Sequence, residues 1–114
     1  MLISLAIGIA LAQPLNVNDM GVIPEAVVSA ARASAALPLA DRMKAISQPL
    51  VGLPYEVDGH GEGVGPDPDP PARYDSFDCL TFLEEILALS LAGDPTSAPM
   101  IRNALRYRDG VPSY

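Results

Sequence analysis

The chain has 114 residues, which is enough for one domain at most. Seven basic side chains stand against fourteen acidic ones, so no basic patch is available to bind nucleic acid. The single cysteine, Cys79, excludes an internal disulfide and with it a small secreted scaffold held together by bridges. The twelve prolines and nine glycines cluster in 49–71 and 93–99, which predicts loops there.

An apolar segment covers the first twelve residues and is too short to span a bilayer. It suits the apolar core of a signal peptide, and Ala10 and Ala12 supply the small residues of a cleavage site before Gln13. A basic start is missing, because the first Lys or Arg is Arg32. We predict a signal peptide at 1–12, with a buried amino-terminal helix as the alternative.

Two helices are predicted in the first half of the chain. Pro24 is typical of the first turn of a helix, and the alanine-rich sequence that follows predicts helix to about Ala36. We assign this helix to an amino-terminal extension, residues 13–37. The second helix opens at Pro38, ends at Pro49 and has apolar residues along one face. These apolar residues are Leu39, Met43, Ile46 and Leu50.

Residues 51–76 are predicted to form a long loop rich in glycine, proline and aspartate. A loop of this length inside a compact domain is usually functional or disordered. Calcium binding is an alternative, but the spacing of the carboxylates does not match an EF-hand and the prolines restrict their convergence. The carboxylates are Asp58, Glu62, Asp67, Asp69 and Asp75. We therefore predict a solvated loop on the substrate side, with no metal and no other cofactor.

A third helix is predicted over about 76–91, and it is apolar on nearly every side. Such a helix belongs in the middle of a domain. The Gly-Asp-Pro sequence at 93–95 ends it, and Thr96 or Ser97 is expected to cap a fourth helix that reaches about Arg108. No stretch alternates convincingly between apolar and polar residues, so the sequence contains almost no strand signal.

Cys79 lies where the polar loop gives way to the third helix. A thiol in the first turn of a helix faces unpaired backbone N–H groups and the positive end of the helix dipole, which favour the thiolate. The residues alone leave two interpretations open. Cys79 is either a nucleophile or a small, buried apolar residue.

Four features then follow one another along the chain. They are Gly-Leu-Pro-Tyr at 52–55, the glycine-rich acidic loop, Asp-Cys-Leu-Thr-Phe-Leu-Glu at 78–84, and Leu-Arg-Tyr-Arg-Asp-Gly at 105–110. In this order they resemble the N-acetylmuramoyl-L-alanine amidase-like family, a branch of the NlpC-type papain-like cell-wall hydrolases, over about 38–114. The resemblance implies an α+β fold in which a cysteine-bearing helix packs on an antiparallel sheet. Most of that sheet would lie beyond Tyr114, so we expect a mainly helical, amino-terminal portion of a longer protein.

The resemblance also implies a site. Cys79 would attack an amide bond of bacterial peptidoglycan, with a histidine as its base and a third polar residue that orients the imidazole. Backbone N–H groups of Asp78 and Cys79 are suited to hold the oxyanion, and Asp78 would cap the helix or fix the approach to the nucleophile. Tyr55 is predicted to contact the substrate or the oxyanion, and a packing role is the alternative.

The family's histidine follows the Arg-Asp-Gly run on a strand, and this sequence ends before it. His60, the only histidine, is predicted to be a solvated loop residue rather than the base. Three arginines in the last predicted helix are expected to form a charged face, with contacts to the carboxylates of a peptide stem as the alternative. They are Arg102, Arg106 and Arg108.

The resemblance and the predicted signal peptide together imply a periplasmic or secreted cysteine amidase or peptidase. Its partner would be peptidoglycan or a muropeptide, with no nucleic acid partner and no stable membrane span. Without the histidine, the fragment is expected to be inactive alone. Two alternatives stay open: a noncatalytic envelope module that binds a muropeptide, and a helical fragment whose exposed apolar face pairs with another chain.

Overall fold

A computed structural model of the protein describes residues 22–113, so the predicted signal peptide at 1–12 lies outside the described residues. The described helices are α1 (Glu25–Ala33), α2 (Leu39–Ser47), α3 (Cys79–Leu91) and α4 (Ala98–Arg106). Short 3-10 helices cover Gln48–Leu50, Pro95–Ser97 and Arg108–Gly110. Over 22–113 no continuous strand forms, and no helix there is long and apolar enough to cross a membrane.

The first two helices begin where their prolines predict. Pro24 and Pro38 occupy the N-cap positions of α1 and α2. The α1 helix ends at Ala33, three residues before the predicted end, and the Ser34 hydroxyl donates back to the Ala30 carbonyl at 2.7 Å. Pro38 sets only the outer limit of this helix, because the α region is disfavoured for Leu37, the residue before it.

The α3 helix begins at Cys79 rather than at residue 76. Asp78 is its N-cap: the Asp78 carboxylate accepts from the Thr81 N–H at 2.7 Å, and the Thr81 hydroxyl accepts from the Asp78 N–H at 3.1 Å. This reciprocal pair is a capping box. Phe77 stays extended instead of joining the helix, because its backbone pairs with residues 54–56.

The core lies between α3 and its neighbours α2 and α4, with α1 packed on α2. The buried cluster consists of Val27, Ala31, Ile46, Leu50, Tyr74, Phe77, Ile86, Ala88, Leu89 and Ala98. The prediction that α3 is buried on nearly every side is wrong in part. Leu80 is 61% exposed and Leu83 is 51% exposed, since α2 and α4 cover only one side of the helix.

The prediction that the arginines of α4 form a charged, solvated face is also wrong for Arg102. Arg102 is buried and forms two hydrogen bonds to Glu85 of α3, at 2.5 and 2.9 Å, and Glu85 also accepts from the Tyr74 hydroxyl. Arg106 is partly buried, with contacts to Glu84 at 3.2 Å and to the Pro71 carbonyl at 2.9 Å. Two of the three arginines thus bind groups of this chain, and Arg108 alone stays exposed.

The long loop is ordered and doubles back on itself. Three backbone hydrogen bonds join its outgoing and returning halves: Gly61 N–H to Pro70 O, Glu62 N–H to Asp67 O, and Gly63 N–H to Asp69 O. A Cβ at Gly61 would collide with Asp67, so glycine is required for the close approach. The Tyr107 hydroxyl donates to the Glu62 carboxylate at 2.8 Å and ties the loop to the end of α4.

Candidate active site around Cys79

A groove of about 380 Å³ lies beside Cys79, whose side chain is exposed. The three predicted site residues Tyr55, Asp78 and Cys79 all line this groove. Its other lining residues are Leu50, Val51, Gly52, Leu53, Pro54, Phe77 and Phe82. Among residues 22–113 the thiol is exposed, which favours the nucleophile over the alternative of a buried apolar residue.

Two backbone hydrogen bonds join the walls of the groove. The Phe77 N–H donates to the Pro54 carbonyl, and the Glu56 N–H donates to the Phe77 carbonyl, each at 3.1 Å. The result is a single parallel bridge between Tyr55 and Phe77. It holds the Pro-Tyr sequence against the residue that precedes the N-cap of α3, so two motifs that are distant in sequence share one site.

Asp78 acts as the cap of α3. The hydrogen bond from the Thr81 N–H lowers the pKa of the Asp78 carboxyl below its ordinary value, so the group is ionised at neutral pH. Its own N–H is taken by the Thr81 hydroxyl. The prediction that the Asp78 N–H holds an oxyanion therefore does not fit this arrangement, whereas the Cys79 N–H belongs to the first turn, where backbone donors have no partner within the helix.

Tyr55 stands at the rim of the groove and is 67% exposed. Its ring is not part of the core, so the alternative of a packing role does not fit. The aromatic walls of the groove, Phe77 and Phe82, were not predicted, because both residues fall within the predicted buried helix. The sign in the sequence was that Phe77 directly precedes the Asp-Cys pair and Phe82 follows it by three residues.

His60 is not the solvated residue that the sequence predicts. Its ring stacks on Phe77 with 5.5 Å between centroids, and its Nδ1 is buried with no hydrogen-bond partner among the residues described. Burial, followed by the positive charge of Arg106, lowers the pKa of the imidazole below 6.5. His60 does not line the groove and reaches it only through Phe77, which does.

An ionic cluster fixes the loop beside His60. Arg73 donates to both oxygens of Asp75, at 2.6 and 2.7 Å, and to the Gly59 carbonyl at 3.3 Å. The Arg73 guanidinium lowers the pKa of the Asp75 carboxyl. The Ser76 hydroxyl donates to Glu56 at 2.9 Å. Within 22–113, no three His, Cys, Asp or Glu side chains lie close enough together to hold a metal ion.

Comparisons with family models, with characterised proteins and with solved structures found no match to this chain. The resemblance of 38–114 to the amidase-like family therefore stays a prediction. The same holds for the papain-like NlpC-type fold, for export and for peptidoglycan as the partner.

Proposed function

We propose that the chain carries the nucleophile of a cysteine hydrolase that cleaves an amide bond in bacterial peptidoglycan. One observation carries the proposal: Cys79 occupies the first turn of α3 with an exposed thiol at an apolar groove. The Cys79 N–H belongs to that first turn, where backbone donors have no partner within the helix, so it can donate to a group bound beside the thiol. A buried structural cysteine would gain nothing from that position.

The proposed chemistry begins with attack of Sγ of Cys79 on the amide carbonyl carbon. A C–S bond forms, and the Cys79 N–H is placed to stabilise the negative oxygen of the tetrahedral intermediate. The C–N bond then breaks, and the amine departs with a proton from the general acid that had accepted the thiol proton. Water hydrolyses the thioester and restores the thiol.

The proton-accepting group is the part of this chemistry that the described site lacks. His60 is the only imidazole in the sequence, and it stacks behind Phe77 instead of lining the groove. Asp78 is engaged as a cap and its lowered pKa makes it a weak base. We therefore expect the chain by itself to cleave nothing at a useful rate.

Chemical rescue tests this proposal on the chain as it exists. The chain is incubated with purified disaccharide-peptide fragments of peptidoglycan, with and without free imidazole, and the products are measured by mass spectrometry. We expect cleavage that rises with imidazole concentration and is absent from the Cys79→Ala variant, which keeps the groove but has no thiol. Equal cleavage by Cys79→Ala, or none at any imidazole concentration, contradicts a hydrolytic role.

A noncatalytic module that binds a muropeptide is the second candidate. The observation that favours it is that the Asp78 N–H and the His60 imidazole are both engaged away from the groove, while the groove itself is open. Binding of the same fragments without imidazole-dependent cleavage is the expected result for such a module. If the Cys79 thiol is no more reactive in the folded chain than in the unfolded chain, this also favours a noncatalytic module.

A further inference from the structure

We propose that His60 is a positioning residue for the Cys79 site: as a neutral imidazole it supports the Phe77 wall of the groove, and a proton on the ring removes that support. The groove is then formed near neutral pH and lost in acid. This inference rests on the proposed function, because it concerns the regulation of the same site. His60 does not act as the base here, since it does not line the groove.

The ring of Phe77 connects His60 to the groove. Phe77 is buried among three other rings, and His60 is stacked on it with 29° between the ring planes. The other two rings, Tyr74 and Phe82, meet it edge-on, at 5.9 and 5.6 Å between centroids. Of these three neighbours, the imidazole is the one whose charge changes near neutral pH.

The backbone of Phe77 carries the effect of its ring to the thiol. It forms the two hydrogen bonds to residues 54–56 that join the walls of the groove. The next residue is Asp78, the N-cap of α3, and Cys79 follows it. Because closely packed side chains transmit a displacement to their neighbours, a Phe77 ring that loses its support disturbs the bridge to Tyr55 and the turn that presents the Cys79 thiol.

The surroundings of the His60 ring do not accommodate a second N–H. Its Nδ1 is buried and has no hydrogen-bond partner among residues 22–113. A protonated imidazole carries an N–H on both nitrogens, so the cation would leave a buried donor unpaired. The neutral ring avoids this cost by holding its one proton on Nε2.

The charges that face His60 also oppose the cation. Arg106 of α4 and Arg73 of the returning loop both repel a positive imidazole. The Asp78 and Asp75 carboxylates and the Arg73 carbonyl favour it, but each carboxylate already binds another group of the chain. Burial, as the largest cause, and then Arg106 lower the pKa of the imidazole below 6.5. The stacked ring thus binds a proton less readily than a ring in water does, so acid favours release of the ring from its stack.

Nuclear magnetic resonance of the unmodified chain between pH 7.5 and pH 5 tests the inference without any reaction. The His60 Cε1–H resonance reports the proton on the ring, and nuclear Overhauser effects between the His60 and Phe77 ring protons report the stack. We expect these effects to be present at pH 7.5 and to be lost as His60 titrates. The amide resonances of Phe77 and Tyr55 should move with the same midpoint.

Two controls separate this change from a general loosening of the chain. His60→Phe keeps a ring on Phe77 but does not titrate, so the Phe77 and Tyr55 amide resonances should stay fixed over the same pH range. The Ser97 amide donates to the Asp94 carbonyl at 3.0 Å in the short 3-10 helix after α3, and its resonance should stay fixed in both chains. If His60→Phe does not fold, the stack and the Ser97 amide of the unmodified chain still decide.

Several results would overturn the inference. One is a stack that survives protonation of His60, and another is a ring that takes no proton above pH 5. Equal movement of the Phe77 amide resonance in His60→Phe would assign the change to other groups. Movement of the Ser97 resonance together with that of Phe77 would show that the change is not confined to the groove.

These outcomes are separate from those of the proposed function. Imidazole-dependent cleavage that needs Cys79, together with a stack that survives protonation, would support the hydrolase and remove the role of His60. Loss of the stack on protonation, in a chain that cleaves nothing with imidazole, would support the pH-dependent groove and remove the hydrolase.

Discussion

The two ends of α3 have opposite environments. The carboxyl-terminal half buries Glu85, Ile86, Ala88, Leu89 and Ser90 against its neighbours. The amino-terminal turn leaves Cys79 and Leu80 exposed. One helix thus anchors itself at one end and presents a thiol at the other. Packing of the carboxyl-terminal half stabilises the helix, and the amino-terminal turn keeps the Cys79 thiol accessible.

The largest effect is expected from breaking the anchored end. Arg102→Met leaves the Glu85 carboxylate buried without its partner, which should lower the free energy of unfolding by about 3–5 kcal/mol. Urea unfolding of the chain measures this. The double variant Glu85→Leu with Arg102→Met should recover part of the loss, because it removes the buried charge along with its partner but leaves the buried Tyr74 hydroxyl without an acceptor.

If the single Arg102→Met variant is already unfolded, the double variant still provides a measurable curve. If the free energy of unfolding of Arg102→Met lies within 1 kcal/mol of that of the unmodified chain, this pair does not anchor α3.

A smaller effect is expected at the open end. Asp78→Ala removes the cap of α3 and should lower the free energy of unfolding by about 1 kcal/mol. Asp78→Asn should lose less, since its side-chain oxygen still accepts from the Thr81 N–H. Asp94→Ala is the matched control, because Asp94 caps only the short 3-10 helix that follows α3, through an exposed hydrogen bond that it accepts from the Thr96 N–H. Equal losses for Asp78→Ala and Asp94→Ala would contradict a capping role specific to α3.

The smallest effect on stability is expected from protonation of His60, which lies behind the groove. His60 is packed on Phe77 and faces the charges of Arg106, Arg73 and Asp78. Burial lowers the pKa of the folded imidazole, so below about pH 6.5 the unfolded chain binds the proton more readily. Stability should therefore fall as the pH drops from 7.5 to 5.5.

The variant His60→Phe keeps an aromatic ring against Phe77 but does not titrate. Its free energy of unfolding should change less with pH over the same range, as measured by urea unfolding at each pH. A slope equal to that of the unmodified chain would assign the pH dependence to other groups.

The local features of the fold were predictable from the sequence. As predicted, Pro38 opens α2, Cys79 lies in a first turn, and α3 ends before the Gly-Asp-Pro sequence at 93–95, where Gly93 is left-handed. The cap of the fourth helix was not: Asp94 caps the short 3-10 helix, while Ser97 precedes α4 without a side-chain cap. Proline and glycine start and end helices through the conformation of the local backbone, so their effect can be predicted without knowing which distant residues pack nearby.

The pairings between distant residues were not predictable. Arg102 and Glu85 lie on different helices. Nothing in the sequence around either residue indicates that they pair with each other instead of remaining solvated. His60 was predicted as solvated because glycine and proline surround it, and its contact with Phe77 depends on how the loop folds back. The exposure of Leu80 and Leu83 likewise depends on which side of α3 the other helices cover.

The proposed hydrolase requires that the fold of α3 make Cys79 a reactive nucleophile. The most direct measurement is the rate at which iodoacetamide alkylates the single thiol at pH 7, in the folded chain and in the same chain unfolded in urea. We predict faster alkylation in the folded chain, because only folding provides the helix terminus around the sulfur. Equal or slower alkylation of the folded chain would contradict the claim.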